Sequence, residues 1–201
     1  MTIKDLGARV EKIWDGLRPM TKKMIVGAMQ ANLNIPKQKF FYDAHADWEL
    51  SRLLTALDEQ TDDAEIRKDA AKLNEIRQIA ETCANVLQTQ TESAEVFIQL
   101  AERALKQNDF RKIDELADVL SERFSVGEMA EIARQTENPA IRALAFEAMA
   151  LAPLSSLLPL VEDPLYGEIV RSALELQAYE YESEEARQLL DQLDFLDEIN
   201  E

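Results

Sequence analysis

Apolar residues recur along this chain at the three- and four-residue spacing that is typical of amphipathic helices. Near the start, Ile3, Leu6, Val10, Ile13 and Leu17 follow this spacing. They fall on one side of a helix, so the spacing predicts a first helix over residues 2–17. Runs of β-branched residues, which favour strands, are nearly absent, and we therefore predict an all-α protein. Corresponding patterns predict helices over 21–33, 62–89, 93–107, 110–124, 126–136, 154–162 and 184–199, with another leading out of the aromatic segment 37–60.

A short polar step separates the helices predicted over 93–107 and 110–124. A turn of this length makes the two helices antiparallel neighbours. The run 104–110, which reads ALKQNDF, resembles the inter-helix turn of tetratricopeptide repeats, which often reads K-Q-G-D-Y. Asn108 stands where that family has glycine. Asparagine is the next choice after glycine for the left-handed backbone that such a turn needs.

A second pattern recurs at an offset of 25 residues. Asn138-Pro139 and Asp163-Pro164 each place a capping side chain before a proline at the first helical position, which favours a helix start. This segment resembles HEAT-like repeats, whose second helices often begin at such a step. Arg142 fits the HEAT-like pattern, whereas its counterpart Gly167 departs from it. The matching apolar positions are Ile141, Leu144, Ala145, Ala148 and Met149 in one copy, and Tyr166, Ile169, Val170, Ala173 and Leu174 in the other.

These resemblances are confined to residues 93–182, and they imply antiparallel helical hairpins stacked as a short right-handed superhelix, an α-solenoid. The acidic outer face of the helix predicted over 184–199 suits the capping end of such a stack. We predict an N-terminal helical region over 1–91 and a helical-repeat region over 92–201, divided at the polar segment 90–92. One continuous superhelix is the alternative.

The charge of the chain is large and unevenly distributed. The 201 residues have a net charge of −17, yet residues 1–39 carry eight Lys and Arg against three Asp and Glu, and residues 175–201 carry ten acids and one base. Phosphate repels such a chain, so we expect no nucleic-acid binding. With no run of 18 apolar residues, no apolar leader at the start and one cysteine, we expect no membrane span, no internal disulfide and a cytoplasmic location.

Few residues are suited to catalysis or metal binding. A structural zinc site needs four Cys or His ligands, and the chain has only Cys83 and His45. The five glycines are isolated, so no phosphate-binding loop is present. Cys83 falls on the apolar stripe of the helix predicted over 62–89, which indicates a small buried side chain. We therefore expect no catalytic residue, metal or cofactor.

An aromatic segment, residues 40–48, is the strongest local candidate for a contact site. Phe41 and His45 are four residues apart and His45 and Trp48 three apart, so each pair shares a helix face. The aromatics act either as rigid anchors for a partner or as core of the N-terminal half. Two lysines in the methionine-rich helix 21–33 form either a contact surface or an ordinary solvated face. The candidate contact residues are Phe41, Tyr42, His45, Trp48, Lys22 and Lys23.

Together these features predict a non-catalytic protein-interaction or scaffold module of the helical-repeat type. A basic partner held by the acidic half, or head-to-tail self-association through the oppositely charged ends, would follow from the charge distribution. The alternative is an all-helical ligand-binding protein or enzyme with a pocket lined by the aromatics of residues 40–48. An acidic decoy for nucleic-acid-binding proteins is a third hypothesis.

Overall fold

A computed structural model describes residues 6–31 and 42–200 of the chain. Within these residues the regular structure is helical and no strand occurs, which confirms the predicted all-α class. A 3₁₀ turn over Leu158–Leu160 follows the tenth α-helix. The α-helices are α1 (Ala8–Gly16), α2 (Pro19–Ala31), α3 (Ala44–Thr61), α4 (Ala64–Lys68), α5 (Ala70–Gln90), α6 (Ala94–Gln107), α7 (Phe110–Arg123), α8 (Val126–Gln135), α9 (Pro139–Ala150), α10 (Leu154–Leu157), α11 (Gly167–Tyr179) and α12 (Glu184–Asn200).

The chain divides into two compact units, one ending at Val96 and the other beginning at Phe97. The predicted domain boundary at residues 90–92 stays a prediction. In the first unit α3 packs against α1, α2 and α5, and α2 also packs against α5. Cys83 is fully buried in this core, as the sequence predicts. The core is formed largely by Leu50, Leu53, Leu54, Leu57, Ile76, Ile79 and Leu87.

The first predicted helix begins later than expected within the described residues. Leu6 and Gly7 are not helical, and α1 starts at Ala8. Gly7 has φ 114, a conformation that side chains rarely adopt, and a Cβ there would lie 2.4 Å from the Gln60 side-chain oxygen. The backbone angle favours glycine, whereas the flexible Gln60 side chain could move aside. The helix therefore starts after Gly7, although the apolar spacing begins before it.

The long helix predicted over 62–89 is interrupted. Asp69 has φ −105 and ψ 93, and it separates α4 from α5. Its carboxylate accepts hydrogen bonds from the backbone N–H groups of Ala71 and Lys72 at 3.1 Å, so it caps the start of α5. The prediction of one continuous helix was wrong because apolar spacing does not register a single capping residue within a periodic run.

In the second unit, helices that follow one another pack together. α8 packs against α9, α9 against α11, and α11 against α12, while α7 also contacts α9. The turn between α6 and α7 contains Asn108 at φ 56, which confirms the predicted left-handed residue. Phe97, near the start of α6, and Phe124, just after the end of α7, meet edge to face with ring centroids 5.5 Å apart.

The two copies of the 25-residue pattern fold differently at their starts. Asn138 caps α9 at Pro139 as predicted, through a 3.0 Å bond from the Ala140 N–H. At the second copy the helix begins at Gly167, not at Pro164, and Asp163 caps a turn instead. A Cβ on Gly167 would lie 2.6 Å from the Val161 carbonyl oxygen. Glycine is therefore required where the first copy has Arg142.

Among the described residues, no single helix combines the length and the apolar character needed to span a membrane. One pair of helical segments, Pro139–Ala150 with Leu154–Leu160, reaches that length and composition only when joined, and it is bent by 118° at the break.

Candidate functional site

A buried carboxylate on α3 forms hydrogen bonds with the junction between α1 and α2. Glu49 on α3 is 2% exposed. Its two oxygens accept bonds from the Arg18 backbone N–H at 2.7 Å, from Arg18 Nε at 3.0 Å and from the Thr21 hydroxyl. The Arg18 guanidinium also pairs with Asp43 through two parallel bonds of 2.7 and 3.0 Å. We call Arg18, Thr21, Asp43 and Glu49 the Arg18 network.

Hydrogen bonding sets the charge states within this network. The bidentate bond from Arg18, followed by the bond from the Ala46 N–H, holds the pKa of Asp43 well below its usual range. In turn, Asp43 and Glu49 raise the pKa of Arg18. For Glu49, burial acts to raise the pKa, but the bonds from Thr21 and Arg18 outweigh burial and the pKa is lowered. Glu49 therefore serves as an ionised anchor whose oxygens are already engaged.

The lowered pKa of Glu49 makes the stability of the first unit sensitive to acid. Its contribution is present above the pKa of an unfolded glutamate, about 4.3, and is lost as the pH falls through the lower folded value. Glu49→Gln mimics the protonated carboxyl. We expect the free energy of unfolding of this variant to be lower than that of the wild type by a constant amount from about pH 7 to 5. This difference should shrink towards about pH 2. Urea unfolding at each pH measures this, and a deficit that is constant down to about pH 2 would contradict the role given to Glu49.

Of the predicted aromatic residues, His45 and Trp48 lie on the first turns of α3, and both are at the surface. Trp48 is 54% exposed and the His45 side chain 55%, so the alternative that they form the core is wrong for both. Their rings are tilted, with centroids 5.4 Å apart, and His45 Nε2 lies 3.8 Å from Glu49 Oε1. Tyr42 instead donates a 2.5 Å bond to Asp47. The Arg52 guanidinium, which sequence reasoning missed, lies over the Trp48 ring, 4.5 Å from its centroid.

The other candidate residues do not join this group. Phe41 lies outside the described residues. Lys22 donates a 3.0 Å bond to the Asp15 carbonyl oxygen and lies 6.0 Å from the Trp14 ring centroid, and Lys23 is exposed elsewhere on α2.

The sequence does carry a signal for the exposed position of Trp48. It stands two residues before Leu50, which places it on the opposite side of α3 from the buried leucines.

A cleft of 540 Å³ opens between α1 and α3, beside the aromatic turns, and we call it the α1–α3 cleft. α1 lines it with Arg9, Lys12 and Gly16, and α3 with Trp48 and Arg52. Each set follows the spacing of one helix face. Arg9 forms an ion pair with Glu59 on α3. The cleft thus brings cationic side chains and one exposed tryptophan together in a strongly acidic protein.

The second unit ends in an antiparallel pair, α11 and α12, which we call the acidic hairpin. Arg171 on α11 pairs with Asp194 on α12 at 3.0 Å, and Arg187 on α12 donates a 3.0 Å bond to the Ala178 carbonyl oxygen. Near the turn, Tyr181 donates a 3.0 Å bond to Glu147 on α9, which raises the pKa of that tyrosine. The exposed carboxylates of the hairpin are Glu168, Glu175, Glu180, Glu182, Glu184, Glu185, Asp191 and Asp194.

Large apolar side chains stand exposed among these carboxylates. Tyr179 and Tyr181 lie at the turn and are 67% and 43% exposed, and Phe195 lies near the other end of the hairpin at 62%. Sequence reasoning missed all three as contact residues. The sequence signal for the two tyrosines is the alternation of tyrosine and glutamate over 179–182, which departs from the helical period.

In the part of the chain that the structure describes, no three His, Cys, Asp or Glu side chains are grouped so that they could hold a metal ion. Glu49 already accepts three hydrogen bonds, so the most buried carboxylate is not arranged as a general base. The α1–α3 cleft and the exposed aromatic side chains of the acidic hairpin are features suited to binding. The chain matches no protein-family model, and no curated protein or solved structure is significantly similar to it.

Proposed function

We propose that this chain is a non-catalytic protein-binding module that holds a basic partner on its acidic hairpin. The observation that carries the proposal is the set of exposed aromatic side chains among the carboxylates of α11 and α12. Tyrosine and phenylalanine provide large apolar contacts at low entropic cost, and surrounding charge steers a partner of opposite sign. A lysine-rich amphipathic segment combines both complementary properties.

The packing of the second unit supports a stacked-hairpin, HEAT-like arrangement as the platform for this surface. The longer helices α8, α9, α11 and α12 contact one another in chain order, with the short α10 between α9 and α11. Contacts in chain order are what a stack of helical hairpins requires. Arg142 donates a 2.6 Å bond to the Thr136 carbonyl oxygen just beyond the end of α8. Arg187 engages the end of α11 in a similar way. These repeated arginine contacts suit repeating units, and the superhelix itself remains our proposal.

Removing two exposed aromatics should weaken the binding of a basic peptide. We expect a fluorescein-labelled peptide of lysine and leucine to bind the wild-type chain at low salt. The double variant Tyr179→Ser with Phe195→Ser should bind about tenfold more weakly, a loss of about 1.4 kcal/mol. Fluorescence anisotropy at several salt concentrations measures both the affinity and its electrostatic part.

Phe110→Ser is the matched control for this experiment. Phe110 is 66% exposed, close to the exposure of Tyr179, but it lies outside the acidic hairpin and is followed by Arg111 and Lys112. Its loss should leave peptide affinity unchanged. Equal affinities for the double variant, Phe110→Ser and wild type would overturn the proposal, as would the absence of peptide binding by the wild type.

A second copy of the chain can also supply basic residues, since residues 1–39 carry eight Lys and Arg. If the partner is a second copy, light scattering should show a mass above that of one chain at low salt and a fall to the monomer at high salt. A monomer mass throughout the salt series would exclude self-association and leave a separate basic protein as the partner.

A further inference from the structure

We propose that the α1–α3 cleft binds a small anion carrying phosphate or carboxylate groups. The cleft encloses 540 Å³, which falls within the range of about 300–1,000 Å³ typical of small-molecule sites. Its cationic side chains line a concave space between two helices. That shape favours a compact ligand over an extended acidic surface.

The accessible charge of the cleft is positive. Among the described residues, neither Lys12 nor Arg52 forms an ion pair with a carboxylate, although the chain contains 39 acids and 22 bases. Glu49 also lines the cleft, but it is 2% exposed and its oxygens are engaged by Arg18 and Thr21. The remaining acid, Glu95, is exposed, as Lys12 and Arg52 are, and it offsets part of their positive charge. The cleft still carries an excess of positive charge, because Lys12 and Arg52 together outnumber Glu95.

The position of Arg52 suits recognition of an oxyanion. Its guanidinium carbon lies over the Trp48 ring, 4.5 Å from the ring centroid, so a cation–π contact restrains the position of the guanidinium. This contact uses none of the guanidinium N–H groups as hydrogen-bond donors, and a guanidinium can donate two parallel bonds to a phosphate or carboxylate. The exposed part of Trp48 and the side chain of Ile13 provide apolar surface for the carbon framework of the ligand.

Titration calorimetry at low salt tests this inference with three probes: pyrophosphate, citrate and AMP. We expect saturable one-site binding of at least one probe by the wild-type chain. Binding of pyrophosphate or AMP but not of citrate would identify phosphate as the bound group. Binding of citrate alone would identify carboxylates. The double variant Lys12→Ala with Arg52→Ala should bind at least tenfold more weakly. Arg77→Ala, which removes an exposed arginine of α5 outside the cleft, should bind like the wild type.

A second variant tests the cavity without changing its charge. A Cβ on Gly16 meets no atom within 4 Å, so Gly16→Leu fits the fold and fills the open space. We expect it to abolish binding, while Gly127→Leu, at a similarly open position in α8, leaves binding unchanged. Circular dichroism confirms that each variant is folded. The inference is overturned if the wild type binds no probe, if a peptide of aspartate and glutamate binds where the probes do not, or if neither cleft variant weakens binding.

Discussion

Replacing Glu49 with alanine should lower the free energy of unfolding by about 3 kcal/mol. Three donors then lose their acceptor, among them the Arg18 backbone N–H and the Thr21 hydroxyl, in a position that is 2% exposed in the folded chain. Arg18 keeps its pair with Asp43, so its charge is still balanced in part. For this reason we expect the loss to fall at the low end of the range for breaking a buried ion pair, about 3–5 kcal/mol.

Glu59→Ala is the matched control, because it removes the same side chain from the same helix. Glu59 is 50% exposed and pairs with Arg9, itself 61% exposed, so its loss should change stability by less than about 0.5 kcal/mol. Urea unfolding followed by tryptophan fluorescence measures both variants, since Trp14 and Trp48 lie in the first unit. Equal midpoints for the two variants would show that the Arg18 network contributes little to stability.

Features within one helix or turn could be predicted from the sequence. The cap of α9 at Asn138, the left-handed Asn108 and the buried Cys83 all depend on a residue type and its near neighbours. The start of α11 could not be predicted in the same way. Asp163-Pro164 satisfies the local rule for a helix start, yet the helix begins at Gly167, where the Val161 carbonyl oxygen approaches closely.

The candidate site could be predicted only in part, because its contacts join distant parts of the chain. Trp48 was identified from its aromatic neighbours, whereas Arg18 and Glu49 are 31 residues apart and share no sequence pattern. The α1–α3 cleft likewise depends on which faces of two helices meet, and no spacing within either helix specifies that. The exposed aromatics of the acidic hairpin depend on packing in the same way, since the same residue types more often serve burial.

Gly167→Ala should destabilise the second unit by about 2–3 kcal/mol, although alanine is the better helix former. The added methyl group would lie 2.6 Å from the Val161 carbonyl oxygen, and a backbone atom cannot move aside as a flexible side chain can. The start of α11 must then shift, and with it the 3.0 Å bond from the Tyr166 hydroxyl to Glu131 on α8. Chemical unfolding followed by circular dichroism measures the loss, because the two tryptophans lie outside this unit.

Gly127→Ala makes the same substitution near the start of α8. We expect it to raise the stability of the second unit, whereas Gly167→Ala lowers it. There the nearest atom to an added Cβ is the Ser125 hydroxyl oxygen at 3.8 Å, an ordinary contact. Alanine also restricts the unfolded chain, so we expect a gain of about 0.5 kcal/mol. If both variants were stabilised alike, the approach of Val161 to Gly167 would not be tight. The difference between the two copies of the 25-residue pattern would then need a cause other than backbone packing.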